Sequence, residues 1–164
     1  MEFQIQSSAF RNKNMIPSRY SGEAENLSPP LSWSGLLADA QELALICEDP
    51  DAPREKPFVH WLLYHIPPTI STLPEGMTRE AQLAEPFHAN QGRNSAGEIG
   101  YTGPMPPVGH GRHRYFFKIF ALSKKLDLSP GCEKEDLLKA MEGKVIASAE
   151  LVGTYERKAV GKTA

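Results

Sequence analysis

Two short segments of this chain place carboxylates and imidazoles beside rigid turns and strand-like sequence. The first is residues 49–53 (DPDAP), closely followed by His60 and Trp61, and the second is residues 111–115 (GRHRY). Carboxylates and imidazoles are costly to place against an apolar core unless they pair with each other or meet a ligand. The two segments therefore predict one small anion-binding pocket, built from distant parts of the sequence.

Prolines stiffen the first segment. Pro50 and Pro53 fix their own φ angles and bias the preceding residues towards extended geometry, so we expect Asp49 and Asp51 on a stiff turn. The sequence leaves the cis or trans state of these prolines open. An aspartate within about 4–6 Å of a histidine favours the imidazolium and raises the histidine pKa. We therefore expect the histidines to donate hydrogen bonds to a phosphate or carboxylate while the aspartates orient them.

The first histidine of the pocket lies near the start of the strongest strand-like run, residues 58–66 (FVHWLLYHI). Two-residue alternation along a strand places His60 on the same face as residues 62, 64 and 66. His65 falls on the opposite face near the far end of the strand. We therefore do not assign His65 to the pocket.

The second segment leads into another strand-like run, residues 114–122 (RYFFKIFAL). Alternation puts His113 and Tyr115 on one face of it. Gly109 and Gly111 are expected to let the backbone approach a ligand closely. The preceding prolines, in residues 104–107 (PMPP), are expected to form a hard apolar wall.

Short strands separated by turns dominate the rest of the chain. Strand-like runs occur at residues 3–5, 43–47, 58–66 and 114–122, and residues 69–111 form a long, mostly irregular segment that is expected to be functional. Residues 133–142 have helical spacing, residues 144–150 are a candidate second helix, and residues 151–155 are a closing strand or extended tail. This pattern predicts a mainly β protein, a β-sandwich-like core with helices appended near its C-terminus, in a single domain over residues 1–164.

Composition favours an ordinary cytoplasmic globular protein. The chain is 40% hydrophobic and 23% charged, with a formal net charge of -2, which argues against nucleic acid or an anionic membrane as the main partner. Its first residues (MEFQI) lack the pattern of a secretory leader, and no run approaches the roughly 18 apolar residues of a membrane span. Cys47 and Cys132 are interpreted as free thiols.

These segments together resemble the phosphatidylethanolamine-binding protein (PEBP) family, in particular its bacterial branch, which is related to the Raf kinase inhibitor protein. The likeness covers nearly the whole chain and lies in residues 28–33 (SPPLSW), 49–53 with His60 and Trp61, 100–104 (GYTGP) through 113–115 (HRY), and 153–155 (GTY). It implies a PEBP-like antiparallel β-sandwich with peripheral α-helices and no metal or organic cofactor.

The resemblance also implies which residues bind the ligand. Carried over position by position, the pocket is lined by Asp49, Asp51, Pro53, His60, Pro106, His113 and Tyr115. Its ligand is expected to be phosphate or a phosphorylated headgroup or side chain, with phosphorylethanolamine as an example. The family further implies a non-catalytic role, inhibition of a protein kinase or protease, and homodimers in some members. The connection at residues 54–59 is short beside the pattern of animal members, so the rim of the pocket is expected to differ. Residues 22–26 (GEAEN) replace a small turn of many bacterial members.

A metal-dependent hydrolase is the alternative function. Two carboxylates and two imidazoles, from Asp49, Asp51, His60 and His113, suit several divalent ions. Against this, the sequence shows no helical His-x-x-x-His or Glu-x-x-His pair and no Gly-x-Ser-x-Gly nucleophile motif. The sequence leaves open the physiological ligand, the protein partner and the oligomeric state.

Overall fold

Two antiparallel sheets face each other in the computed structural model, which describes residues 2–158. The strands of the smaller sheet, in the order β1-β2-β5, are β1 (Gln4–Gln6), β2 (Leu31–Ser34) and β5 (Thr72–Leu73). The larger sheet has the order β6-β7-β4-β3-β8-β9 and consists of β3 (Glu42–Asp49), β4 (Phe58–Ile66), β6 (Gln82–Leu83), β7 (Ala89–Gln91), β8 (His113–Leu122) and β9 (Val145–Tyr155). A 3-10 turn spans Ser18–Tyr20, and helix α1 spans Lys134–Met141.

Apolar side chains cover both faces of the central strands. The main core lies between the sheets and includes Trp33 from β2 and Trp61 from β4. A second cluster on the outer face packs Ile46 and Leu62 against Leu137 of α1. Burial on both faces explains why the β3 and β4 sequences are continuous apolar runs. The sequence-based prediction of a mainly β sandwich with peripheral helix is confirmed.

Residues 144–150 are strand and not helix, so the prediction of a second helical piece there is wrong. Gly143 has a φ of 75°, which ends α1, and β9 then pairs with β8 along nearly its whole length. The ten-residue β8 exposes a full row of backbone donors and acceptors that only an extended partner satisfies. Tertiary pairing therefore outweighs the helix propensity of the Ala- and Glu-containing sequence.

The long segment at residues 69–111 is partly ordered into strands. It contributes β5 to the smaller sheet and β6 and β7 to the edge of the larger sheet. Its last part, residues 96–107, lies against the ends of β4 and β8. The segment therefore both completes the sheets and supplies one wall of a cavity.

Two irregularities in the pairing of β3 with β4 change which side chains face the core. Cys47 pairs with Trp61 but Glu48 pairs with Val59, so His60 is an extra residue at a β-bulge. The bulge turns His60 towards the ring of Tyr115 on the inner side of the sheet, away from the outer face occupied by Leu62. The alternation that grouped His60 with residues 62 and 64 is therefore wrong, because a bulge shifts the alternation by one residue. Ile66 lies beyond the second irregularity and faces the core between the sheets.

Among residues 2–158, no helix has both the length and the apolar character needed to cross a membrane.

Candidate functional site

A cavity of about 260 Å³ opens where β3 ends and where β4 and β8 begin. Larger surface depressions exist. One of them, of about 490 Å³, is bordered by many charged surface side chains, among them Lys56 and Glu135. The smaller cavity is distinctive because buried titratable side chains converge on it. Six of the seven residues expected at the pocket line it, namely Asp49, Pro53, His60, Pro106, His113 and Tyr115.

A chain of three polar side chains runs along one side of the cavity. His113 Nδ1 donates to Asp49 Oδ2 at 2.7 Å, which joins two residues that are 64 positions apart. The other ring nitrogen of His113, Nε2, lies 2.6 Å from Nδ1 of His110. Asp49 and His113 are 3% and 2% exposed, whereas His110 is exposed to solvent. The ring of His110 therefore occupies the direction in which His113 would donate to a ligand.

His60 is held on the other side of the cavity by the backbone. Its Nδ1 lies 2.7 Å from the carbonyl oxygen of Thr102, and the N–H of Thr102 donates to the carbonyl oxygen of His60 at 3.0 Å. Burial lowers the pKa of His60 to about 4, which outweighs the opposing effects of the Thr102 carbonyl and of Asp49. The expectation that both histidines are raised in pKa by an aspartate is therefore wrong for His60.

Asp51 does not line the cavity, although it was predicted to. Both of its carboxylate oxygens are bonded to Arg114, at 2.9 Å from Nε and 2.9 Å from Nη2, and the backbone N–H of Arg114 donates to it as well. The hydrogen bonds from Arg114 hold the pKa of Asp51 below its usual value. Asp51 thus fastens the turn at residues 49–53 to the start of β8, which keeps Asp49 beside His113.

Tyr115 forms the floor between the two histidines. Its ring stands edge-on to the ring of His60, with centroids 5.0 Å apart, and lies 6.5 Å from the ring of His113. Burial raises the pKa of its phenol far above the ordinary value, so the hydroxyl keeps its proton and can donate. Pro106, with Met105, closes the opposite, apolar wall.

The glycines play a different part from the one expected. Neither Gly109 nor Gly111 lines the cavity, and a Cβ at either would meet no atom within 4 Å. Their φ angles of 77° and 92° require glycine instead, because this backbone conformation lets the loop present His110 to His113. Close approach matters at Gly103, where a Cβ would lie 2.1 Å from the carbonyl oxygen of Tyr20.

Sequence reasoning missed two contributors to the site. His110 is not among the predicted site residues, although a second histidine three residues before His113 is a visible signal. Thr102 contributes only its carbonyl oxygen, which no side-chain pattern reveals.

The architecture and the cavity together define a class: β-sandwich proteins with a small polar pocket at the end of the larger sheet. The sequence model of the phosphatidylethanolamine-binding proteins matches residues 6–156. This chain belongs to the phosphatidylethanolamine-binding protein family.

Individual relatives agree with this family membership. A UPF0098 protein from Methanothermobacter thermautotrophicus is 48% identical over 153 residues, which cover 93% of this chain and 98% of the relative. The crystal structure of a PEBP homologue from Chlamydia trachomatis is 43% identical, covers 96% of this chain and 99% of that one, and superposes with a TM-score of 0.86. E. coli YbcL, described as a member of the mammalian family, is 32% identical, covers 96% and 100% of the two chains, and has a TM-score of 0.89. Because archaeal and bacterial proteins both match well, the family is shown without distinguishing its bacterial branch.

Proposed function

We propose that this chain is a non-catalytic binding protein whose pocket accepts a phosphate-like anion. The ligand would be phosphate itself or a phosphorylated headgroup or side chain. The observation that carries the proposal is the convergence of His60, His113 and Tyr115 on one cavity, with Asp49 bonded to His113 at 2.7 Å.

The polar groups around the cavity fit such a ligand. Tyr115 supplies a hydroxyl donor, and His113 supplies a second donor at Nε2 when it is protonated and His110 has moved aside. The carboxylate of Asp49 offsets part of the positive charge, so binding of modest strength is expected. The cavity volume of about 260 Å³ suits a headgroup and not a large organic molecule.

The first test is a titration of metal-free protein with inorganic phosphate and phosphorylethanolamine, followed by NMR of histidine rings and backbone amides. Saturable shifts should appear at His60, His113 and residues 101–111, while His88, which is exposed elsewhere, should not respond. An absence of shifts at millimolar ligand would remove the pocket as the explanation of function.

Inhibition of a protein kinase or protease is the second candidate function. Met105 and Val108, which are 47% and 48% exposed, place apolar side chains on the loop beside the pocket, where a protein surface could dock. An inhibitor of this kind would use the loop for contact and the pocket to anchor or modulate it. Inhibition that persists in His60→Phe but is lost in a Met105→Asp/Val108→Asp double variant would indicate a surface-driven inhibitor.

The hydrolase alternative depends on a metal ion. In residues 2–158 no group of three or more histidine, cysteine, aspartate or glutamate side chains is arranged to hold one. Asp49 and His113 bond to each other, and Asp51 bonds to Arg114. Metal analysis of the purified protein tests this alternative, because stoichiometric zinc or manganese would favour a hydrolase.

We also propose homodimer formation through an edge of the larger sheet. Residues 12–16 bond to β9 at Val152 and Thr154, but in the described chain no strand pairs with the outer edge of residues 145–150. Unpaired strand edges favour association with a second chain. The N–H groups of Val152 and Thr154 point away from β8, and alternation gives the N–H of Glu150 the same direction. Sedimentation velocity of the wild type and of a Glu150→Pro variant would test the dimer, since this proline removes an edge donor.

A cytoplasmic location is proposed from the thiols. Cys47 is buried in β3 and Cys132 is half-buried before α1, and both are free. Free thiols are typical of reducing compartments. Cell fractionation tests the location.

A further inference from the structure

The orientation of the His60 ring fixes which of its nitrogens carries a proton. Nδ1 lies 2.7 Å from the carbonyl oxygen of Thr102. A carbonyl oxygen has no proton to give, so Nδ1 must carry the hydrogen of this bond. In the neutral ring, Nε2 then has a lone pair and can only accept a hydrogen bond. Among the described residues, Nε2 of His60 has no hydrogen-bond partner.

The surroundings of His60 favour the neutral ring. The side chain is 5% exposed and packs between Phe58 and Tyr115, with ring centroids 4.7 and 5.0 Å away. The nearby carboxylate of Asp49 is already bonded through one oxygen to His113 and through the other to the N–H of Asp51. His113 opposes a charge on His60, and burial lowers the pKa of His60 to about 4.

We propose that the pocket selects oxyanions that carry a proton, phosphate monoesters above all, over sulfate and over phosphate diesters. This inference rests on the proposed anion-binding function and specifies its ligand. A P–OH group donates to Nε2 of His60, and the remaining oxygens accept from the hydroxyl of Tyr115 and from His113. Sulfate and phosphate diesters have only acceptors at neutral pH. Either would place an oxygen lone pair against the lone pair of His60.

The same chemistry separates two sources of phosphate. The headgroup of an intact phospholipid is a phosphate diester without a P–OH group, whereas a phosphorylated side chain or a free phosphorylated alcohol is a monoester. A buried acceptor left without a donor reduces affinity by about ten-fold or more. Below the second pKa of the monoester, where it carries its proton, the pocket is therefore expected to prefer monoester sources to intact lipid headgroups by about this factor.

A charge-matched pair of probes tests the proposal directly. The second pKa of a phosphate monoester is about 6. At a pH about one unit lower, methyl phosphate and dimethyl phosphate are both mostly monoanions, and they differ by an OH in place of an OCH₃. Methyl phosphate should bind the metal-free full-length protein at least about ten-fold more tightly by calorimetry or NMR titration. Phosphorylethanolamine against glycerophosphorylethanolamine, and phosphate against sulfate, should show the same preference.

A variant and a spectroscopic measurement locate the effect at His60. His60→Phe keeps a ring of similar size and removes the acceptor, so the ratio of the two methyl ester affinities should fall towards one. ¹⁵N spectra of the wild-type imidazole should show a protonated Nδ1 and an unprotonated Nε2, with Nε2 shifting when methyl phosphate binds. This measurement needs no variant to fold.

The outcomes separate the inference from the function on which it rests. Equal affinities for the two methyl esters, or tighter binding of the diester or of sulfate, would overturn the selectivity while leaving anion binding intact. A proton on Nε2 of free His60 near neutral pH would also overturn it. If none of the probes binds, the anion pocket itself is refuted, and the selectivity with it.

Discussion

His60 and His113 border the same cavity, but the groups that hold them differ. His113 is joined to a buried carboxylate, that of Asp49, whereas His60 is joined to the uncharged carbonyl of Thr102. Removing the hydrogen-bonding partner of a buried carboxylate leaves that carboxylate without compensation, which costs far more than the pair itself contributes. The two histidines should therefore respond differently to the same substitution.

His113→Phe should lower the free energy of unfolding by about 3–5 kcal/mol, because the buried carboxylate of Asp49 loses its hydrogen bond from His113. His60→Phe should cost only about 1–2 kcal/mol, the price of leaving a partly buried carbonyl without a donor. Urea unfolding of the two variants at neutral pH measures both values.

A double-mutant cycle provides the control for this difference. Because Asp49→Leu/His113→Phe removes both members of the hydrogen-bonded pair, its destabilisation should be smaller than the sum of the two single variants. Strictly additive effects, or equal losses for the His113 and His60 variants, would show that the Asp49–His113 contact contributes little.

The loop at residues 108–112 positions the third histidine of the site. His110 is exposed and lies on a backbone with positive φ at the glycines on both sides, yet its Nδ1 is 2.6 Å from Nε2 of His113. An anion that accepts a hydrogen bond from His113 must displace this ring. The loop therefore competes with the ligand.

His110→Ala should strengthen phosphate binding by roughly three- to ten-fold, since it removes one competing hydrogen bond worth about 1 kcal/mol. Isothermal titration of the variant with inorganic phosphate measures the change. His88→Ala, which removes another exposed histidine, is the matched control and should bind as the wild type does. Weaker binding in His110→Ala would mean that His110 contacts the ligand instead of competing with it.

Strand β9 offers a test of packing at the end of the sandwich. A Cβ on Gly153 would lie 2.4 Å from Cγ1 of Ile16 and 2.8 Å from the ring of Phe10. Gly153→Ala should therefore destabilise the protein by about 1–3 kcal/mol through overpacking. Ser148→Ala, at an exposed position of the same strand, should stay within about 0.5 kcal/mol of the wild type. Thermal denaturation of both variants distinguishes these outcomes, and equal stabilities would contradict the close contact with Ile16.

The sequence indicated the strands more readily than the side chains that face the pocket. The strands at residues 58–66 and 114–122 were predictable because apolar runs bounded by prolines and glycines are typical of buried strands. The orientation of His60 was not, because a β-bulge depends on the pairing with β3 and leaves no signal in β4 alone. Asp51 was assigned to the pocket by the family resemblance, but its hydrogen-bonding partner Arg114 lies 63 residues later in the sequence.

At the scale of the whole molecule, ion pairs connect secondary-structure elements and add to the stability that the hydrophobic core provides. Glu48 of β3 bonds to Lys118 of β8 and to Lys134 of α1. Burial would raise the pKa of Glu48, but the two lysines outweigh it and the pKa is lowered. The stabilisation from Glu48, like that from Asp51, is present above the unfolded-state pKa and is lost as the pH falls through the folded-state pKa.

His65 gives the opposite pH dependence at the far end of the sheet. Its Nδ1 lies 3.0 Å from Glu42 and its Nε2 lies 2.9 Å from the carbonyl oxygen of Leu128. The hydrogen bond to Glu42 raises the pKa of His65 above its usual value, despite partial burial. Since both ring nitrogens face acceptors, the imidazolium is the form that fits. The imidazolium of His65 thus connects the end of β4 to the segment that precedes α1.

His65→Asn should therefore destabilise the protein most at low pH. Asparagine tolerates the φ of 59° at this position, so the variant removes the charge without adding backbone strain. The loss should be about 1 kcal/mol below the unfolded-state pKa of about 6.5, allowing for the partial exposure of the side chain, and should shrink as the pH rises through the higher folded-state pKa. Urea midpoints measured from mildly acidic to mildly alkaline pH give this dependence, with His88→Asn as a control whose difference from the wild type stays flat. A difference for His65→Asn that is equally flat, or that grows with pH, would show that His65 is held as the neutral ring.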